Sequence, residues 1–293
     1  MGAPAPVLRW PGAKWRIAEW IGGYLPEHDA YVEPFFGSGA VFFSKEPARV
    51  EIINDLDGNV VTFFKVLREQ SAALAELIAL TPWAEGEYRA AHEALQGTDL
   101  SDLERARCLI VATWQQMGRK PVSQRSSWRL RELAGQSPIT SWQKLPDRIQ
   151  QAAARLLSTQ ISQIPAVKLI AQVSGPDVLI YADPPYLSEI RSKSRMYDHE
   201  MRSETAHLEL IDALRAHSGP VVLSAYANEI YMQQLPAWHA VSTSARTQTN
   251  AQRAETLWVN PVAWKRLQHV NQPLNWAADC VLSPLPFSDP RTP

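Results

Sequence analysis

Cysteine is nearly missing from this sequence. Cys108 and Cys280 are the only two in 293 residues, far apart and without a ligand-spaced partner. That argues against a disulfide framework or a zinc site, no metal is expected, and the low count suits a reducing cytoplasm. Charge of one sign is missing too. The formal net charge is −1, so any contact with nucleic acid has to come from a local patch. No apolar run is long enough to span a bilayer, and Met1-Gly2-Ala3-Pro4-Ala5-Pro6 does not read as a signal peptide, so no membrane partner is expected. There is no internal repeat. Low complexity is limited to the tail after Leu282, where Pro284, Pro286, Pro290 and Pro293 suggest an extended end. What is left is an ordinary globular composition, 45% hydrophobic and 20% charged. The length suits one large domain, or one domain with a sizeable insertion.

Tyr181-Ala182-Asp183-Pro184-Pro185-Tyr186 organises the rest. The apolar run Val178–Ala182, bounded by Gly175-Pro176 and Pro184-Pro185, reads as a strand buried on both faces. Asp183 then sits at the strand's carboxyl end, the edge where open α/β sheets bind ligands. The two prolines lack backbone donors, and their carbonyls stay free to accept. A carboxylate, free carbonyls and the Tyr186 ring on one stiff turn suit an amino group on a flat ring. A strand-ending turn with a hydrated aspartate is the plain alternative for the tetrapeptide alone.

Leu8-Arg9-Trp10-Pro11-Gly12-Ala13-Lys14 turns at Pro11-Gly12 into a helix carrying Ile17, Ile21, Tyr24 and Leu25, closed by Gly22-Gly23 and Pro26. Trp10 and Lys14 flank that turn; by themselves they fit a packing Trp and a solvated Lys. Tyr31-Val32-Glu33-Pro34-Phe35-Phe36-Gly37-Ser38-Gly39-Ala40 follows. A short strand, a glycine turn and a helix open a nucleotide-binding type of unit, in which glycines let a ligand approach the backbone. The six-position glycine fingerprint is absent, so no pyrophosphate is implied. Val50–Ile53 forms a second strand ending at Asn54-Asp55. Asp55 stands where such folds hold ribose hydroxyls, and a helix N-cap in Asp57-Gly58-Asn59 is the competing reading for this stretch.

From about Gln70 to Leu156 the pattern is helical: Leu74, Leu77, Ile78 and Leu80, then Tyr88, Ala91 and Leu95, then Leu103, Ala106, Ile110 and Thr113. This is too much helix for one crossover, so residues 71–156 read as an insert. Between Arg105 and Arg155 ten basic residues face two acidic ones. The loop around Arg119, Lys120, Arg125 and Arg129 has the side chains for phosphate contacts and base edges, and a DNA-facing patch is expected there. After Leu156 alternation resumes: a strand near Leu157–Ile161, a helix over Ala166–Val173, then the Asp183 strand. Arg191, Lys193, Arg195 and Arg202 mark a second basic loop, Leu208, Ile211 and Leu214 a helix, and Gly219–Ser224 another strand. A helix around Ile230 and Leu235 follows. His239–Thr243 and Glu255–Asn260 are β-prone and suit an antiparallel closing hairpin.

Taken together these pieces resemble the S-adenosylmethionine-dependent, adenine-specific DNA methyltransferases, the family of the bacterial DNA adenine methyltransferase and its phage relatives. Trp10-Pro11-Gly12-Ala13-Lys14 is similar to that family's Trp-x-Gly-Gly-Lys loop, with Ala13 in place of the second glycine. Glu33 to Gly39 is similar to its first cofactor motif, Asp55 to its ribose-binding acid, and Asp183-Pro184-Pro185-Tyr186 to its catalytic motif. The order of motifs is the family's. Gln160–Pro165 departs from it by lacking an acidic residue. The resemblance implies an α/β fold: a Rossmann-like methyltransferase sheet with helices on both faces, from residues 1–70 and 157–270. It implies a helical target-recognition insert at 71–156 and leaves 271–293 as a proline-rich tail. It implies S-adenosylmethionine as methyl donor, held by Trp10, Lys14, Glu33, Phe35, Gly37, Gly39, Asp55 and Asp183. Double-stranded DNA would be the substrate, held by Arg119, Lys120, Arg125, Arg129, Arg191 and Lys193. It places the protein in a bacterial or phage-encoded cytoplasmic setting and admits a cognate restriction endonuclease as partner.

The implied chemistry is direct transfer to the exocyclic nitrogen of a flipped-out adenine, with Asp183 and the Pro184 carbonyl accepting its N–H bonds and Tyr186 stacking on the base. Three rivals stay open. Cytosine N4 fits the same turn, a non-catalytic DNA-binding relative would keep the scaffold, and a nicotinamide-dependent oxidoreductase would need the missing glycine fingerprint.

Overall fold

The computed structural model describes residues 5–118, 120, 122, 124–129, 138–185, 204–226, 228–246 and 252–269. Seven strands form one sheet: β1 (Ala30–Glu33), β2 (Val50–Asn54), β3 (Thr159–Ser162), β4 (Val178–Ala182), β5 (Val221–Ala225), β6 (His239–Arg246) and β7 (Gln252–Val259). Their order is β3-β2-β1-β4-β5-β7-β6. The first five run parallel, and β7 lies antiparallel between β5 and β6. β4 and β5 are almost wholly buried, which is why they read as unbroken apolar runs: a parallel strand with both faces covered has no solvent side to alternate towards.

Helices α1 (Ala18–Gly22) and α2 (Ala40–Ser44) are short. α3 (Gly58–Glu69), α4 (Ser71–Leu80), α5 (Glu85–Ala94), α6 (Asp102–Trp114), α7 (Pro138–Trp142) and α8 (Leu145–Leu156) precede β3. α9 (Ala166–Gln172), α10 (Glu204–Ala216), α11 (Glu229–Gln234) and α12 (Pro261–His269) complete the helices of the described residues. Two apolar clusters result. One holds Leu169, Ile170, Leu210, Ile211, Leu214 and Tyr231. The other runs from Phe42 and Phe64 through Leu67 and Leu109 to Trp114, Trp142 and Ile149 without a break. The helices of 71–156 therefore share the core cluster that includes α2 and α3. Arg155, at the end of α8, closes this junction through a buried bidentate pair with Glu51 of β2 and stacks over Phe42.

The strand order sets the position of the site. Successive crossovers carry the chain from β1 out to β2 and β3, then back across β1 to β4 and β5. The sheet thus changes direction between β1 and β4, and a crevice opens beyond their carboxyl ends. Glu33 ends β1 and Asp183 follows β4, so the two carboxylates flank that point.

Candidate active site

A pocket partly open to solvent lies at this edge. Trp10, Lys14, Glu33, Phe35, Gly37, Asp55 and Asp183 all line it, gathering residues from four separate segments. Gly39 sits just behind, at the start of α2.

The glycine turn makes the pocket's floor. Gly37 has φ +50° and Gly39 φ +67°, a left-handed backbone that glycine adopts without strain. Side chains would also collide there. A Cβ on Gly37 would lie 2.9 Å from the Trp10 ring, and one on Gly39 2.5 Å from the Phe36 ring. Phe36 goes into the aromatic core with Phe42 and Phe64, while half-buried Phe35 stays at the pocket. Asn54 pins the turn by donating to the Pro34 and Ile164 carbonyls at 2.9 and 3.0 Å.

Asp55 and Asp57 divide the two readings of their segment between them. Asp57 is the N-cap of α3, accepting from the Asn59 amide at 2.8 Å. Asp55 accepts from the Gly37 amide at 2.8 Å and the Asp57 amide at 3.0 Å. It therefore ties the glycine turn to the start of α3 while lining the pocket.

Lys14 is buried and reaches across the pocket: its Nζ lies 2.9 Å from Asp183 Oδ2 and donates to the Gly12 carbonyl at 3.0 Å. Burial disfavours its charge, yet Asp183, and after it Glu255, more than offset this and hold the ammonium above its ordinary pKa. It is no solvated lysine. Glu33 goes the other way. Burial first, with the Asp183 charge adding to it, pushes its carboxyl up to about 8, although the Tyr31 hydroxyl donates to its Oε2 at 2.7 Å. Near neutral pH Glu33 is therefore mainly a neutral acid beside the Asp183 side chain.

The opening loop owes its place to the helical segment. The Trp114 indole donates to the Val7 carbonyl at 2.7 Å, Arg9 stacks over Trp114, and Arg148 reaches the Pro6 carbonyl at 3.3 Å. Of the expected DNA contacts, Lys120 and Arg125 are exposed, and Arg129 is half-buried. They belong to a loop closed as a short hairpin: Gln116 bridges Trp128, and the amides of Met117 and Arg129 donate to Ser127 and Gln115. Several other basic residues of that stretch are engaged inside the protein: Arg105 with Asn59 and Gly97, Arg107 with Glu104 and Glu87, Arg155 with Glu51. Tyr186, Arg119, Arg191 and Lys193 lie outside the described residues. Cys108 is buried and its thiol is pushed up to about 11, chiefly by burial, so it is a poor nucleophile.

Comparison with known families settles the class. Residues 10–246 match the model of the D12 class of N6 adenine-specific DNA methyltransferases. The chain belongs to this class. The matched span runs from Trp10, in the opening loop, to the end of β6, so it contains every pocket residue named above. Individual relatives align over shorter stretches. A DNA N-6-adenine-methyltransferase of Escherichia phage P1 is 34% identical over 71 residues, which is 24% of this chain and 9% of the relative. A DNA adenine methylase of Vibrio cholerae is 33% identical over 66 residues, 22% of this chain and 24% of the relative. The chain thus covers less than a quarter of the length of either. Among solved structures, an rRNA methylase from Streptococcus thermophilus covers 84% of this D12-class chain and 94% of its own at 9% identity. Its TM-score is 0.35.

Proposed function

We propose that this D12-class protein methylates the N6 amino group of adenine in double-stranded DNA, with S-adenosylmethionine as donor. The observation that carries the reading is the meeting of Lys14, Asp55 and Asp183 in one pocket at the sheet's change of direction. The lining fits such a donor. Bare backbone at Gly37 admits a ligand close to the turn, Trp10 and Phe35 offer flat apolar faces, and Asp55 and Asp183 suit hydroxyls and cations. Bound there, the donor would supply a methyl group on a sulfonium, whose C–S electron pair stays on sulfur as the N–C bond forms.

The chain's own residues would do the rest. An adenine amino nitrogen is a poor nucleophile because its lone pair is delocalised into the ring. Asp183 and the Pro184 carbonyl would accept its two N–H bonds, localising that lone pair, and Asp183 would take up the proton released. Neutral Glu33 adds no second negative charge beside Asp183. Alignment of two reactants can contribute about 7–11 kcal/mol, so most of the rate is assigned to positioning. Tyr186 would stack on the base. A paired adenine hides its amino group, so the base has to be flipped out, at a cost of roughly a few kcal/mol. The 71–156 segment would act as the target-recognition part. Lys120, Arg125 and Arg129, with Arg119, Arg191 and Lys193, would offset that cost through phosphate contacts. A partner restriction endonuclease is compatible with this activity.

Incubation with unmethylated duplex DNA and methyl-tritiated donor tests the reading. Label transferred to DNA is expected. DNA bound without label would favour a non-catalytic relative.

A further inference from the structure

Two carboxylates lie near the Lys14 ammonium, and only Asp183 belongs to the substrate turn. Nζ is 2.9 Å from Asp183 Oδ2 and 3.9 Å from Glu255 Oε1. Glu255 is buried, and its Oε1 accepts from the buried Ser224 hydroxyl at 2.7 Å. The sheet brings these groups together. Asp183 follows β4, Ser224 lies in β5 and Glu255 in β7, three adjacent strands. Because β7 is antiparallel, its early residues meet the carboxyl end of β5: Ala225 pairs with Thr256 and Ser224 with Leu257. A glutamate within a buried strand is costly to keep charged unless it is paired. Ser224 and Lys14 supply that pairing.

We propose that Glu255 is a positioning residue for methyl transfer: it steadies the Lys14 ammonium beside Asp183 and receives it when the base's amino group reaches Asp183. This rests on the reading of Asp183 as acceptor of the amino group. An ammonium fixed on Asp183 Oδ2 competes with the amino protons for that oxygen. With no second carboxylate, Lys14 would either hold the oxygen or be left as a buried charge with a weakened partner. Glu255 gives it a second seat, so the ammonium stays paired before and after the base arrives. Two carboxylates around one ammonium also leave Asp183 more basic than a simple ion pair would. Among the described residues, Glu33, Tyr181 and Tyr231 are other titratable groups whose fields meet that of Asp183, and Tyr226 acts on the Lys14 ammonium.

Glu255→Gln keeps the shape and an acceptor for Ser224 but removes the charge. Single-turnover methylation at saturating donor and DNA is expected to slow about ten- to hundredfold, in line with the cost of misplacing a reacting group. Donor affinity by calorimetry is expected to stay the same. A carbon-13 NMR titration of Asp183 in the protein without donor or DNA is expected to show its pKa lowered in the variant. The acid limb of the single-turnover pH profile should move the same way. Should that variant not fold, Ser224→Ala keeps every charge and removes the anchor, together with the hydroxyl's contact with Tyr181; it is expected to slow the transfer step with donor affinity unchanged, and an unchanged rate would overturn the role of Glu255. A folded Glu255→Gln protein with the wild-type rate, or with a reduced rate and an unmoved Asp183 titration, would overturn the role of Glu255. Methylation surviving in Asp183→Ala would overturn the reading beneath it instead.

Discussion

Glu33 shows how burial turns one carboxylate of a pair into a neutral acid. Its folded pKa of about 8 lies above the ordinary 4.5, so the folded state holds its proton more tightly than the unfolded chain does. Stability is then fullest below about 4.5 and is lost as pH rises to about 8. At about 1.4 kcal/mol per pKa unit the loss amounts to a few kcal/mol. Glu33→Gln is expected to flatten this window and to melt higher than the wild type at about pH 9. Thermal melts across the range check it, and parallel slopes in the two proteins would exonerate Glu33. At this scale the sequence was readable where a motif carried the residue. Lys14, Asp55 and Asp183 stand beside turns that mark their positions, and all three reach one pocket. Glu255 carries no such mark: in the sequence it is one acid at the start of a β-prone run. Only the insertion of β7 between β5 and β6 brings it to the edge.

Among elements, the β2–α3 connection brings both Asp55 and Asp57 to the pocket, and Asp57 also caps α3. Asp57→Ala removes an N-cap and is expected to cost about 0.5–2 kcal/mol in stability, with little change in donor affinity. Asp55→Ala removes the acceptor for two amides and the proposed ribose contact, so stability and donor affinity should both fall. Melting and calorimetry on the two variants distinguish these outcomes, and equal donor affinity in both would remove the ribose assignment. β4 and β5 were legible because Gly-Pro or Pro-Pro punctuation bounds unbroken apolar runs. α8 was less so. Its buried face mixes Leu145, Ile149 and Leu156 with Ala152 and Ala153, and alanine leaves a faint stripe in a pattern of large apolar residues. The opening helix is also shorter than its spacing suggests, ending at Gly22 with Tyr24 packed beyond it.

For the molecule as a whole, composition showed a basic stretch but not which of its charges face outward. Arg105, Arg107 and Arg155 serve internal contacts, while Lys120 and Arg125 are exposed on the hairpin loop, Arg125 in an exposed 3.8 Å ion pair with Glu93. Arg125→Ala should weaken DNA binding and reduce the slope of log affinity against log salt by about 0.9, the release expected for one phosphate contact. Arg107→Ala should lower stability and leave the slope alone. Binding titrations at several salt concentrations decide between them, and an unchanged slope in Arg125→Ala would return that residue to a solvated role. The shared core of the helical segment was invisible in the sequence, because helical periodicity tells which face is apolar but not what it packs against. The sheet order that brings Asp183 to the pocket was foreseeable only through the resemblance. Whether that turn transfers a methyl group to adenine is tested most directly by digesting treated DNA to nucleosides and identifying the product by mass spectrometry, for the wild type and for Asp183→Ala. N6-methyladenine from the wild type and none from a variant that still binds DNA is the predicted result. Methylcytosine from the wild type, or methyladenine persisting in the variant, would contradict it.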